Sequence, residues 1–301
     1  RFKASFIESD EELKKYNDSF FYKKDKAIYM VAWHEQNKCV VPDNPDYQVA
    51  WIQDGYLPYN YADYTYSYKP DNVKYFVWDI LGAKLFLRKD LPCEILPFRK
   101  KLYLSKAIFK KELKNILVAT SGTGDWTALK NRSDDDRVVK AFVEIARRHP
   151  EITIIYRCHP GWVNPNNVGI NSIERVREYF ENTGLTNIVV SFNIPSSREG
   201  KKFLATYPRN SLEEDIKKAD MIFGEHSIAM IDAGFKGVPF CSVNLSGRRN
   251  FSLSLEELGF PYCDSIEKID DLISKYNDGS LASIYNQAVD KYNKMTDEEL
   301  D

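Results

Sequence analysis

From about residue 113 onward, short apolar runs alternate regularly with amphipathic segments of helical period. Apolar runs of this kind are typical of buried parallel strands, and helices between them join such strands by right-handed crossovers. The pattern therefore predicts a doubly wound parallel sheet. The predicted strands are NILVATSG, EITIIYRCHP, NIVVSF, DMIFGEHS and VPFCSVN, and the predicted helices are SDDDRVVKAFVEIARRHP, SIERVREYFENTG, SLEEDIKKA and IAMIDAGFKG.

The first third of the chain has a different pattern, in which short β-like runs alternate with polar, tyrosine-rich loops. These runs are KAIYMVAW, YQVAWIQDGYL and VKYFVWDILGAKLFL. The basic segment FRKKLYLSKAIFKKELK is predicted to be a connector, partly helical. We predict an N-terminal domain over 1–112, a second domain over 113–275 and a helical tail over 276–301. Because the chain begins at Arg1 and the first domain is short, we expect that domain to be truncated.

Composition narrows the class of protein. The net charge is −2, so the protein has no overall positive charge of the kind that would predict a nucleic-acid partner. No apolar run approaches the roughly 18 residues that a membrane span requires. The five cysteines show no CxxC spacing, which predicts reduced thiols in a cytoplasmic protein.

Three loops that follow predicted strands carry candidate chemistry, because such loops gather along one crevice of a doubly wound sheet. The first is SGTGDWT, residues 121–127. Its two glycines let the backbone approach a ligand closely, and Asp125 lies beside them. The loop lacks the third glycine of a dinucleotide motif and the Lys-Ser/Thr pair of a Walker A motif, and a plain turn is the alternative.

The second loop follows the strand IIYRCHPG and the third follows DMIFGEHS. Arg157 and His159 alternate around Cys158, so they are predicted to share a face, with a simple turn histidine as the alternative. Ser227 opens a helix whose free N–H groups and dipole suit a phosphate. The alternative role for Ser227 is a helix N-cap, and one side chain can fill both roles.

Two further segments carry weaker signals. Arg248 and Arg249 follow what is predicted to be the last strand, where they could pair with a carboxylate or phosphate; a solvated loop is the alternative. In WIQDGYLP, a strand delivers Asp54 to a glycine turn, and an Asx turn is the alternative. The acidic run Asp134–Asp136 opens a helix, so capping explains it and no metal site is predicted.

These motifs together resemble GT-B glycosyltransferases, most closely the Kdo transferases of bacterial capsule and O-antigen assembly (Kdo is 3-deoxy-D-manno-oct-2-ulosonic acid). The likeness rests on the QDGYLP turn, Gly124-Asp125, His159-Pro160 and the serine at a helix start, Ser227, over about residues 50–250. It departs from the family at Gln53, where related capsule enzymes often carry a glutamate. The resemblance implies an α/β, GT-B-like fold, with two Rossmann-like domains whose parallel sheets face a central cleft.

The resemblance also implies a reaction: Kdo moves from CMP-Kdo to a bacterial surface glycan, with retention through a covalent aspartate intermediate. Asp125 is then the nucleophile, Asp54 a candidate acid/base, and His159 a catalytic or phosphate-binding residue. The resemblance implies no metal or other cofactor, since a monophosphate leaving group can be held without one. The predicted donor-binding residues are Ser121, Gly122, Gly124, Arg157, His159, Pro160, Glu225, His226 and Ser227, and the predicted acceptor-binding residues are Gln53, Tyr56 and Tyr59.

The chain is predicted to work on the cytoplasmic face of the inner membrane, on a lipid-linked glycan acceptor, in peripheral contact with the membrane or with other glycan-assembly enzymes.

Several alternative activities stay open at this level. Other enzymes with a CMP or CDP leaving group, sialyltransferase-like or polyol-phosphate transferases, fit the same motifs. So do a nucleotide-sugar epimerase, which shares the fold, and a GT-B domain that binds glycan without turnover.

Overall fold

The computed structural model describes eleven stretches of the chain and divides it into two compact units, Arg1–Lys101 and Leu102–Asp301. The described residues are 28–32, 48–52, 73–77, 80–87, 93–95, 103–119, 135–158, 179–192, 210–224, 227–245 and 253–298.

The first unit contains a parallel sheet whose four described strands are neighbours in chain order. They are β1 (Ile28–Ala32), β2 (Gln48–Ile52), β3 (Val73–Val77) and β4 (Cys93–Ile95), with helix α1 (Ile80–Leu87) between the last two. The predicted β-like run 73–87 is therefore wrong in its second half. ILGAKLFL is almost wholly apolar, and a short apolar run has no period that separates a buried strand from a buried helix.

The second unit contains a six-stranded parallel sheet in the order β10-β9-β8-β5-β6-β7. This confirms the predicted doubly wound sheet. Its strands are β5 (Asn115–Ala119), β6 (Thr153–Arg157), β7 (Ile188–Ser191), β8 (Met221–Gly224), β9 (Phe240–Val243) and β10 (Tyr262–Cys263). Its helices are α2 (Asp135–Arg148), α3 (Leu212–Lys218), α4 (Ile228–Phe235), α5 (Leu253–Leu258), α6 (Ile266–Asn277) and α7 (Ser280–Glu298).

The strand order reverses direction once, between β5 and β8. The chain runs outward from β5 through β6 to β7, then returns to place β8 on the other side of β5. Ligands of open α/β sheets bind outside the carboxyl ends of the strands at such a reversal. Ala119, the last residue of β5, and Gly224, the last of β8, pair in register there. The reversal therefore marks where a ligand site is expected.

The prediction that β9 ends the sheet is wrong, because β10 continues it. β10 pairs with β9 through only two residues, Tyr262 and Cys263, which is too short to leave a periodic pattern. Arg248 and Arg249 thus precede α5 and β10 in the chain and do not follow the last strand.

Most of the predicted connector, from Leu102 onward, belongs to the second unit, and residues 103–110 form no helix. Its backbone bonds to α4 and to the turn that follows it, through Ser105 N to Gly234 O at 3.0 Å and Ile108 N to Gly237 O at 2.9 Å. Backbone N–H groups that donate to another element are not available for the hydrogen bonds of a helix. The predicted tail is likewise part of this unit, since α7 buries Tyr285 and Tyr292.

Asparagine side chains on α6 and α7 hydrogen-bond to the backbone of residues 104–113. Asn293 of α7 grips both polar groups of one residue, because its Oδ1 accepts from Leu104 N and its Nδ2 donates to Leu104 O, each at 2.9 Å. Asn286 Oδ1 accepts from Ala107 N at 2.9 Å, and Asn277 Oδ1 accepts from Leu113 N at 2.8 Å. The C-terminal helices thus supply hydrogen-bond partners to a segment that belongs to none of the described helices or strands.

Replacement of Asn293 by alanine is expected to lower the free energy of unfolding by about 1–3 kcal/mol. The change leaves the N–H and C=O of buried Leu104 without their partners. Urea denaturation measures the effect. The matched control is Gln287→Ala on the exposed side of the same helix, whose side chain makes one long contact of 3.5 Å to Ser283. Equal stability of the two variants would contradict a stabilising role for the pair of Asn293–Leu104 hydrogen bonds, which we call the Asn293 clamp.

Candidate functional site

The candidate site lies at the carboxyl ends of β5 and β8, where the sheet order reverses. Most of the residues predicted for it lie outside the described part of the chain, and their roles stay predictions. These residues are Gln53, Asp54, Tyr56, Tyr59, Ser121, Gly122, Gly124, Asp125, His159, Pro160, Glu225, His226, Arg248 and Arg249. The described residues of the prediction are Ser227 and Arg157.

Ser227 caps the amino end of α4, which is the alternative role that the sequence indicates for it. Its backbone is extended, at φ −79° and ψ 131°, and its Oγ accepts a hydrogen bond from Ala229 N at 3.3 Å. A hydroxyl that accepts such a bond keeps its own proton to donate to a ligand oxygen. The cap is therefore compatible with a second role at the same atom.

Helix α4 begins without an acidic residue in its first turn. The positive end of the helix dipole is thus not neutralised by the helix's own carboxylates, while two N–H groups of the turn already bond to Ser227: Ala229 N donates to its Oγ and Met230 N to its carbonyl oxygen. An anion at this end would be stabilised by the helix dipole.

Gly224 allows β8 and α4 to approach closely at this point. A Cβ atom there would meet Met230 Sδ at 3.1 Å and the carbonyl oxygen of Ala119 at 3.2 Å. These distances are tighter than ordinary van der Waals contact, so a side chain would require Met230 or the Ala119 carbonyl to shift by a few tenths of an ångström. Sequence inspection marks Gly224 only as the end of a strand, and its packing role emerges from the crossing of β8 and α4.

Arg157, at the carboxyl end of β6, is 6% exposed and forms a buried ion pair with Asp215 of α3. The same guanidinium donates to the carbonyl oxygen of Asn210 at 3.2 Å, and Ser191 Oγ donates to Asp215 Oδ2 at 2.6 Å. The network therefore ties the ends of β6 and β7 to α3. The predicted contact of Arg157 with a donor stays a prediction beside this observed role.

Asp215 was not among the predicted residues, although the pattern of α3 contains a signal for it. Ser211 and Glu214 form a capping box at the start of the helix, which orients the helix on the sheet. Asp215 and Ile216 then both face inward and are buried. A carboxylate on the apolar face of a helix requires a cationic or hydrogen-bonding partner, and the arginine that ends the neighbouring strand supplies one.

The described residues contain neither a cluster suited to a metal ion nor a helix suited to span a membrane. Across these eleven stretches no group of three or more His, Cys, Asp or Glu side chains is placed to hold a metal ion. In the same part of the chain no helix combines the length and apolar character needed to cross a membrane.

The chain is similar to several solved structures, at low sequence identity. The S. aureus MnaA–UDP structure matches with a TM-score of 0.50 and 10% identity, over 96% of this chain and 77% of that one. UDP-GlcNAc 2-epimerase from Neisseria meningitidis bound to UDP-GlcNAc matches with a TM-score of 0.42 and 13% identity, over 96% and 78%. The glycosylation-associated Gap123 complex of Streptococcus agalactiae matches with a TM-score of 0.41 and 12% identity, over 96% and 56%.

This likeness concerns the fold. With its two parallel sheets, the chain has an α/β fold of the GT-B type. The chain spans 56% of the length of the Gap123 structure that it matches. No protein-family model and no curated protein sequence matches the chain.

Proposed function

We propose that this protein is a GT-B glycosyltransferase that binds the phosphate of a nucleotide-sugar at the amino end of α4. The observation that carries the proposal is the coincidence of Ser227, an N-capping serine on a helix without acidic residues in its first turn, with the strand-order reversal between β5 and β8. A helix start supplies N–H donors and positive potential, and the reversal is where α/β sheets bind ligands.

The donor that we propose is CMP-Kdo, with transfer to a glycan acceptor of the bacterial surface. The support is the set of short motifs at Gly124-Asp125, His159-Pro160 and Ser227, which resemble those of Kdo transferases. A donor with a single phosphate also fits a small anion site formed by one helix start, one hydroxyl and one histidine. In this proposal His159 and Ser227 contact the phosphate, and no metal ion takes part.

UDP-sugar chemistry is the second candidate. MnaA was solved with UDP, and the N. meningitidis protein is a UDP-GlcNAc 2-epimerase bound to UDP-GlcNAc. A nucleoside diphosphate carries more negative charge than CMP and therefore requires more cationic partners. Arg248 and Arg249 are the candidate cations in the donor domain for such a ligand, so this candidate predicts that their removal abolishes binding.

A panel of CMP, CDP, UDP and their sugar conjugates, tested by thermal shift, distinguishes the donors. A ligand that binds only the folded protein increases the free energy of unfolding, by about 2.7 kcal/mol at a concentration 100 times its Kd. The unfolding midpoint rises as a result. Under the first candidate, CMP and CMP-sugars raise the midpoint with and without a chelator. A response confined to UDP compounds would replace CMP-Kdo by the second candidate, and no response to any nucleotide would overturn the proposal.

The pair Ser227→Asp and Ser227→Ala tests the phosphate site itself. Aspartate is a good N-cap and its charge is favourable at a helix start, so Ser227→Asp is expected to keep the unfolding midpoint. The same negative charge repels phosphate, so nucleotide binding is expected to be lost. Ser227→Ala is expected to cost about 1 kcal/mol of stability and to weaken binding less. Calorimetric titration measures both variants, and retention of wild-type affinity by Ser227→Asp would place the phosphate elsewhere.

A further inference from the structure

Three polar side chains occupy neighbouring positions near the carboxyl ends of β9 and β10. Ser242 pairs in register with Gly224 of β8 on one side and with Tyr262 of β10 on the other. Paired residues of a parallel sheet project to the same face, and Asn244, two positions after Ser242, continues that face. Ser242, Asn244 and Tyr262 therefore form one cluster, which we call the β9 polar cluster.

The β9 polar cluster lies on the face of the sheet that α4 covers. The Cβ direction of Gly224 leads to Met230 of α4, with 3.1 Å between the built Cβ and Met230 Sδ. Met230 is in the first turn of that helix, three residues after its cap, Ser227. The cluster is thus one strand away from the helix start that the proposed function assigns to phosphate.

Two atoms of the cluster are buried without a hydrogen-bond partner. Ser242 is 1% exposed and Asn244 is 8% exposed, and neither Ser242 Oγ nor Asn244 Oδ1 has a partner in the described structure. Asn244 does hydrogen-bond to Tyr262, and because its oxygen is unpartnered, its amide nitrogen is the donor. Unsatisfied buried polar atoms are costly, and these two lie side by side on one face of the sheet, which is the arrangement expected where a bound group supplies the missing hydrogen bonds.

The chemistry of the cluster suits an uncharged hydroxyl group. Burial raises the pKa of Tyr262, and the Asn244 hydrogen bond opposes that shift, so the phenol is neutral at neutral pH. Asn244 Oδ1 only accepts hydrogen bonds, so it would repel the oxygen of an anion. A sugar hydroxyl, in contrast, can donate to Asn244 Oδ1 while it accepts from Ser242 Oγ.

We propose that the β9 polar cluster is a hydroxyl-binding subsite for the nucleotide-sugar, and that Ser242 and Asn244 select its hydroxyl pattern. This inference rests on the proposed function, because it takes the phosphate to lie at the start of α4. The hydroxyls come either from the ribose of the nucleotide or from the transferred sugar. Both sources present the same chemistry to the cluster, and ligand analogues separate them.

Ser242→Ala is the test variant, because it removes one unpartnered hydroxyl and little volume. The free protein is expected to keep its unfolding midpoint or to gain slightly, since an unsatisfied buried group is lost. Nucleotide-sugar affinity is expected to fall about three- to ten-fold, the value of one hydrogen bond. Ser283→Ala, the same change at an exposed position of α7, is the control and should alter neither quantity.

The probes are the nucleotide that stabilises the wild type, its 2′-deoxy and 3′-deoxy forms, and its sugar conjugate, all titrated by calorimetry. If Ser242→Ala weakens binding of the nucleotide but does not weaken binding of one of its deoxy forms, the ribose occupies the subsite. If it weakens binding of the sugar conjugate alone, the transferred sugar occupies the subsite. Unchanged affinity for every probe overturns the subsite and leaves the proposed function standing, whereas a wild type that binds no nucleotide overturns both.

Discussion

Replacement of Asp215 by alanine is expected to lower the free energy of unfolding by about 3–5 kcal/mol. The substitution removes the carboxylate that pairs with Arg157, whose side chain is 6% exposed and cannot recover its hydration. It also removes the acceptor of the Ser191 hydroxyl. A buried charge without a partner is far costlier than the pair was beneficial, so the loss is large even though a buried ion pair adds little net stability.

The control for this experiment lies two residues earlier on the same helix. Glu213 makes ion pairs with Lys217 and Lys236, but its side chain is 59% exposed, so Glu213→Ala is expected to leave the midpoint of urea denaturation nearly unchanged. The double variant Arg157→Met with Asp215→Leu removes both charges and is expected to recover most of the loss. If the double variant were as unstable as Asp215→Ala, the loss would reflect packing and not the uncompensated charge.

Asp125→Asn is expected to lower glycosyl transfer by roughly 10³-fold or more while nucleotide binding persists. This prediction depends on the proposed function, in which the Asp125 carboxylate attacks the anomeric carbon, the bond to the CMP oxygen breaks, and the sugar remains esterified to the enzyme. The acceptor hydroxyl then displaces the carboxylate, loses its proton to the acid/base, and leaves the sugar with net retention. Asparagine keeps the shape of the side chain but lacks the anionic oxygen.

Intact-mass spectrometry after incubation with donor alone checks this step. The wild type should gain the mass of one transferred sugar, and Asp125→Asn should gain none. An adduct mapped to Asp54 would exchange the roles of the two acids, and product with inverted configuration would contradict the covalent intermediate. A purely structural role of Asp125 predicts a different result, with a lower unfolding midpoint and partial activity retained.

Where one pattern extended over enough residues, the sequence was sufficient. The strands from β5 to β9 follow from apolar runs, helices α2, α3 and α4 follow from helical periods, and the Ser227 cap follows from a polar residue before an apolar helix. The predicted helix SIERVREYFENTG lies largely outside the described residues. Local patterns failed where they were short or uniform. The two residues of β10 carry no period, and the apolar segment of α1 is compatible with either element.

The position proposed for the candidate site comes from a rule that needs only the predicted parallel α/β alternation, since ligands of such sheets bind where the strand order reverses. Its details were not predictable in the same way. Alternation along a strand predicts which face of the sheet Arg157 is on, but it does not predict what covers that face. The partner that covers it, Asp215, lies 58 residues further along the chain.

The sequence by itself determined the α/β class, the doubly wound second unit, the capped start of α4 and the glycine that ends β8, since each depends on residues within one turn or one strand. Only the tertiary structure decided the pairing of Arg157 with Asp215, the clamp of Asn293 on Leu104, and the unsatisfied Ser242 and Asn244. Each of these features joins residues that are distant in the chain, or depends on which polar atoms packing removes from water. Periodicity cannot encode such contacts, because their energies depend on burial and partner geometry, which exist only once the sheet and its helices have come together.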